Sequence, residues 1–145
     1  MPRPTARLST RLRERLRDDR GASTMEFLGL TPLLVILIFA LVQFGMYFFA
    51  LQVTDAAAQA GARKARATAD GDPSGWQGQA RATTEQRIRD LGPALVEGPD
   101  VSMVDEGDQV GVVVHADVVS VVPFLHLQIT SRSVGPVERF IPDGR

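Results

Sequence analysis

A run of twenty-five residues without a charged side chain, residues 27–51, is the feature that most constrains this chain. The side chains with hydrogen-bonding groups in this run are those of Thr31, Gln43 and Tyr47. As a helix, the run would rise about 37 Å, which exceeds the roughly 30 Å hydrocarbon core of a bilayer. The sequence therefore predicts a membrane-spanning helix that begins at Phe27, contains Pro32 and Gly45, and ends at Leu51.

The charges on the two sides of this run differ in sign. Residues 1–20 hold seven arginines and three acids, a formal charge of +4, whereas residues 52–145 hold nine basic and thirteen acidic side chains, a charge of −4. Basic segments beside a span stay in the cytoplasm. We predict a basic cytoplasmic leader over residues 1–21 and an extracytoplasmic C-terminal region. Leucines four residues apart in the leader leave a basic helix lying on anionic lipid as an alternative to a solvated leader.

The span helix is predicted to continue into an alanine-rich segment and to end at about Thr68, so that it covers residues 22–68. Small residues recur four positions apart in this segment, as in Ala56 with Ala60 and Ala57 with Gly61. This spacing lets two helix backbones approach closely. We expect these four residues to serve in helix packing.

Residues 69–145 are expected to form a small α+β domain. A Gly-, Pro- and Asp-rich stop at residues 70–75 precedes an amphipathic helix over Trp76–Leu91, and alternating apolar residues then predict strands at 101–104, 109–122 and 127–134. The fold class predicted is thus a long N-terminal helix, a second helix and a three-stranded antiparallel sheet. The chain contains no cysteine, so the domain has no disulfide.

The sequence contains few candidates for chemistry. His115 and Asp117 share one side of the second strand, but no nucleophile motif, metal-ligand spacing, phosphate-binding loop or nucleic-acid pattern accompanies them. We therefore expect no catalytic residues, no cofactor, no metal and no nucleic-acid partner. Glu26 is the exception, because an ionisable residue at the edge of hydrocarbon is costly and is usually retained for function.

The residues around Glu26 resemble a type IV prepilin signal. A basic leader ends at Gly21, Glu26 is the fifth residue after it, and Phe27 opens the apolar helix. Together with residues 31–34, 43–45 and the alanine-rich residues 55–67, this pattern is similar to the TadE/TadF pseudopilin family of Flp/Tad pilus assembly.

The resemblance implies a pilin-like fold and a single-pass membrane protein of a Tad (tight adherence) pilus and secretion system. A prepilin peptidase would cut after Gly21 and leave Ala22 with a free amine. Glu26 would pair with that amine in an adjacent subunit. The implied partners are membrane lipid, the peptidase, other Tad pilins or pseudopilins, and secretion-platform proteins.

Three other interpretations remain open at this stage. The chain could be an uncleaved bitopic protein whose outer domain binds a partner. It could be secreted after cleavage near Ala58-Gln59-Ala60, although its apolar run is much longer than a signal-peptide core. It could also be an anchored hydrolase that uses His115 and Asp117.

Overall fold

The computed structural model describes residues 8–139, with side chains from residue 25 onward. It contains helices α1 (Leu8–Thr68) and α2 (Trp76–Leu91), and strands β1 (Val96–Asp105), β2 (Gln109–Val118) and β3 (Leu127–Pro136). The predicted α+β class is confirmed. The chain divides into two compact units at the junction of Leu41 and Val42, inside α1.

The first unit contributes only helix within the described residues. Pro32 lies inside α1, where its ring nitrogen has no hydrogen to donate to the preceding turn. Next to it, the Thr31 hydroxyl donates a 2.8 Å hydrogen bond to the Phe27 carbonyl oxygen. The helix continues through the proline.

The second unit is built on an antiparallel sheet of strand order β1-β2-β3. Val101 of β1 is paired with Val114 of β2, which is paired with Ser131 of β3. The even-numbered residues of β2, from Val110 to Val118, are buried, whereas His115 and Asp117 on the opposite side are exposed. The alternation in β2 thus corresponds to one buried side and one exposed side.

The core of this unit lies between the sheet and the two helices. Alanines and Val53 of α1 and the side chains of Trp76, Ala80 and Ile88 of α2 form one cluster with the valines of the sheet. Trp76 is 3% exposed. Small residues on α1 allow the helix to lie close to the sheet, so a thin domain obtains a continuous apolar interior.

The observed strand ends differ from the predicted ones. β1 begins at Val96, five residues earlier than predicted, because its pairing with β2 continues past an irregularity between Glu97 and Asp100. β2 ends at Val118 rather than at residue 122. Beyond Val118 the backbone no longer pairs with β3, and α1 and the residues that follow α2 supply its partners instead.

Candidate functional site

The candidate site lies along α1, whose residues up to Leu41 belong to the first unit and whose residues from Val42 belong to the second. Gly21 and Ala22 lie within the α1 backbone, but their side chains are outside the described residues. The side chain of Glu26 is exposed. Cleavage after Gly21 and pairing through Glu26 therefore stay predictions.

Residues 27–42 of α1 form a surface that we call the apolar belt. Every side chain in the belt is exposed, including Phe27 at 68% and Ile36 at 65%. Within the part of the chain described, α1 is the one helix long and apolar enough to cross a membrane, with a mean hydropathy of 2.5 over its best window. Because Thr31 donates to a carbonyl of its own helix, its hydroxyl is satisfied without water. The belt fits a membrane anchor.

Gln43 follows the belt and is nearly inaccessible, with 2% of its surface exposed. Its Nε2 donates to the Val119 carbonyl oxygen at 3.2 Å, and its Oε1 accepts from the Val121 backbone N–H at 2.8 Å. The amide thus supplies one donor and one acceptor to a backbone segment that has left the sheet. No sequence pattern predicted this contact, although Gln43 is the one amide in the apolar run.

The last turns of the predicted span have two different environments. Ala50 is fully buried and Leu51 packs against the core, whereas Phe44 is 63% and Phe49 is 54% exposed. Gly45 has open space around its Cα. From Gln43 onward, one side of α1 is therefore covered by protein and the other is free. The span over residues 27–51 stays a prediction, and in its last third only the free side can meet lipid.

The alanine-rich part of α1 lies against α2 and the sheet. Ala57 and Gly61 are buried, whereas Ala56 and Ala60 are partly exposed. A Cβ atom at Gly61 would collide with the Thr84 hydroxyl and would stand 3.1 Å from the Ala80 carbonyl oxygen, both on α2. The close approach at Gly61 is therefore made within the chain, against α2.

A second polar contact holds β3 on α1. The Ser131 hydroxyl donates to the Asp55 carboxylate at 2.6 Å and lies 3.0 Å from the Thr54 hydroxyl. Thr54 is fully buried and Ser131 is 2% exposed. Because no buried side-chain polar atom in the described residues lacks a partner, these groups fix the position of the sheet on the helix without an unsatisfied donor.

His115 and Asp117 remain on the exposed side of the sheet. The Nδ1 atom of His115 lies 2.9 Å from the hydroxyl oxygen of Thr130 on β3. The two residues line a shallow depression of about 310 Å³ that is open to solvent. Among the described residues, no group of three or more histidine, cysteine, aspartate or glutamate side chains could hold a metal ion.

The fold and the site define a class of protein in which a small α+β domain is carried by a long N-terminal helix with an exposed apolar belt. Within that class, residues 21–63 match the family model described as TadE-like protein. The resemblance to the TadE-like family is thereby confirmed over this segment, and it indicates a protein associated with a Tad pilus. The match ends in α1, before α2 and the sheet. No curated protein and no solved structure matches the chain at a significant level.

Proposed function

We propose that this protein is a minor pilin, pseudopilin or assembly protein of a Tad-type pilus and secretion system. The observation that carries the proposal is the TadE-like match over residues 21–63, which includes Gly21, Glu26 and the whole apolar belt in one segment. The protein is held in the cell membrane by a single span, with its N-terminus in the cytoplasm and its α+β domain outside. The charge difference between residues 1–20 and residues 52–145 supports this orientation.

The first step in this function is removal of the leader by a prepilin peptidase at the cytoplasmic face. Hydrolysis of the Gly21–Ala22 peptide bond adds water across it, giving a carboxylate on the leader and an ammonium on Ala22. The leader takes with it all seven arginines of residues 1–20. Since these charges hold the N-terminus in the cytoplasm, their loss frees the helix to move out of the bilayer.

The second step is transfer of α1 from lipid to a helix bundle. The belt has no partner within the described chain, and its side chains are as suitable for neighbouring apolar helices as for lipid. A carboxylate entering that low-dielectric bundle needs a cation beside it. We assign this role to the Ala22 ammonium of an adjacent subunit, paired with Glu26, so that the pair sets the register of the helices.

The proposed role is structural, not catalytic. Its partners are membrane lipid, the prepilin peptidase, other Tad pilins or pseudopilins, and proteins of the secretion platform, and nucleic acid is not among them. The exposed position of His115 and its hydrogen bond with Thr130 support a surface role for that histidine.

Mass spectrometry of the protein isolated from membranes tests the proposal. With an active prepilin peptidase, we expect an N-terminus at Ala22, and with an inactive peptidase we expect the leader to be retained. Protease accessibility of tags at the two ends, measured in intact cells, tests the orientation. An intact leader in the presence of the active peptidase would instead favour an uncleaved single-pass protein whose outer domain binds a partner.

A further inference from the structure

The connection between β2 and β3, residues 119–126, is an uncharged and apolar end of the domain. Apart from Ser120 and His126 its side chains are valine, proline, phenylalanine and leucine. The turn between β1 and β2, at the other end of β2, contains Glu106 and Asp108. The two connections that flank β2 are therefore chemically different, which a domain surrounded only by water would not require.

Phe124 is the most exposed large apolar side chain described, at 98%, and its φ is +67°. It is the one non-glycine residue with a positive φ in the described part of the chain. A bulky residue adopts this conformation at a cost in free energy. In this conformation the ring of Phe124 stands free of the domain, and Val121 and Leu125 in the same connection are 38% and 37% exposed.

Gln43 determines where this connection lies along α1. Its side-chain amide holds the carbonyl of Val119 and the N–H of Val121, so the connection starts at the level of Gln43 on the helix. The Val119 N–H donates to the Leu95 carbonyl oxygen at 3.2 Å, and the Leu125 N–H donates to the Val122 carbonyl oxygen at 3.3 Å. Several backbone groups of the connection are thus satisfied without water.

In the proposed span, that level falls in the outer leaflet, about 6 Å before the end of the hydrocarbon core. Gln43 is sixteen residues after Phe27, and a helix rises about 24 Å over that distance, against a hydrocarbon core of about 30 Å. The free side of α1 at this level carries Phe44 and Phe48, which are 63% and 46% exposed and whose ring centroids lie 4.6 Å apart. Tyr47, which packs partly against the core, has its ring centroid 5.8 Å from that of Phe48. Exposed phenylalanine rings at this level suit the acyl-chain region of the outer leaflet, and tyrosine is typical of the membrane–water interface.

We propose that the β2–β3 connection is a second membrane contact, in which Phe124, Val121 and Leu125 enter the outer leaflet beside α1. The partner is the lipid at the boundary of headgroups and acyl chains, where a partly satisfied backbone is tolerated. The contact holds the domain against the membrane and limits its rotation about α1. This inference rests on the membrane insertion of α1 that the proposed function includes, and it is independent of leader cleavage and of pilus assembly.

The absence of native cysteine allows one reporter to be placed at a time in the full-length chain. Phe124→Cys, with Glu106→Cys as the matched exposed control and Leu37→Cys as the control in the belt, would each be labelled with a nitroxide in phosphatidylcholine–phosphatidylglycerol vesicles. Collision rates with a water-soluble and a lipid-soluble relaxation agent then report the environment. We expect the rate with the water-soluble agent to be several-fold lower at residue 124 than at residue 106, and the rate with the lipid-soluble agent to be higher.

Equal access of the water-soluble agent at residues 124 and 106 would overturn the proposal. If residue 37 also proved accessible to water, membrane insertion of α1 itself would have failed, so the two failures are distinguishable. Protection of residue 124 that disappears when the protein is diluted in lipid would show that a neighbouring protein covers the connection, and would likewise overturn the lipid contact.

Discussion

The Oε1 atom of Gln43 accepts a hydrogen bond from the backbone N–H of Val121 at 2.8 Å, although 78 residues separate the two positions. The contact joins the end of the apolar belt to the connection that follows β2. It places the start of the β2–β3 connection at the level of Gln43 on α1. The consequences for stability and assembly can be measured.

Replacing Gln43 with alanine should lower the free energy of unfolding of the domain by about 2 kcal/mol, because the Val121 N–H and the Val119 carbonyl lose their partner. Unfolding in detergent can be followed by the fluorescence of Trp76, the only tryptophan, which is buried. Gln52→Ala, at an exposed position of α1, is the matched control and should change stability by no more than about 0.5 kcal/mol. Equal effects of the two variants would show that the contact does not hold the connection.

Gly61→Ala should destabilise the domain by about 1–3 kcal/mol, since the new methyl group would collide with the Thr84 hydroxyl where α1 and α2 meet. Gly78→Ala is its counterpart in α2, with no atom within 4 Å of the added Cβ. That variant should be neutral or stabilising by about 0.5 kcal/mol, because alanine is the better helix former. Thermal unfolding of both variants measures the two stability changes. Destabilisation by Gly78→Ala but not by Gly61→Ala would contradict the close packing of α1 on α2 at Gly61.

Ser131→Ala should cost about 1–2 kcal/mol, because it removes the hydroxyl that donates to the Asp55 carboxylate at 2.6 Å. Ser102→Ala is the control, since that serine is exposed and its 3.4 Å bond is long. A double-mutant cycle of Ser131→Ala with Asp55→Ala should give a coupling energy above about 0.5 kcal/mol. Strict additivity of the two changes would mean that the pair does not fix β3 on α1.

Glu26→Gln should insert in the membrane and be processed, yet be largely lost from assembled filaments. Removing one member of a buried ion pair costs about 3–5 kcal/mol, since the remaining charge has no partner. The amount of the variant in sheared surface filaments, relative to the membrane fraction, measures the effect. Glu97→Gln, at an exposed position of β1, should assemble normally. Incorporation of Glu26→Gln at the level of the unchanged protein would exclude the pairing role.

Several elements followed directly from the sequence. The bounds of α2 were predicted at Trp76 and Leu91 because turn-forming residues precede it and Gly92-Pro93 follow it. At the two ends of this helix Trp76 is 3% exposed and Leu91 is 38% exposed. The early start of β1 was missed because Gly98-Pro99 interrupt the alternating pattern on which strand prediction depends.

The apolar helix and its belt, the element types, the buried side of β2 and the segment that matches the TadE-like family were all determined by the sequence itself. Each depends on hydropathy or periodicity among residues only a few positions apart. Tertiary structure alone decided that β2 ends at Val118. It also decided that the Gln43 amide forms hydrogen bonds with the backbone of Val119 and Val121. A side-chain amide and a strand end so far apart in the chain meet only when helix and sheet pack, and no local pattern encodes that encounter.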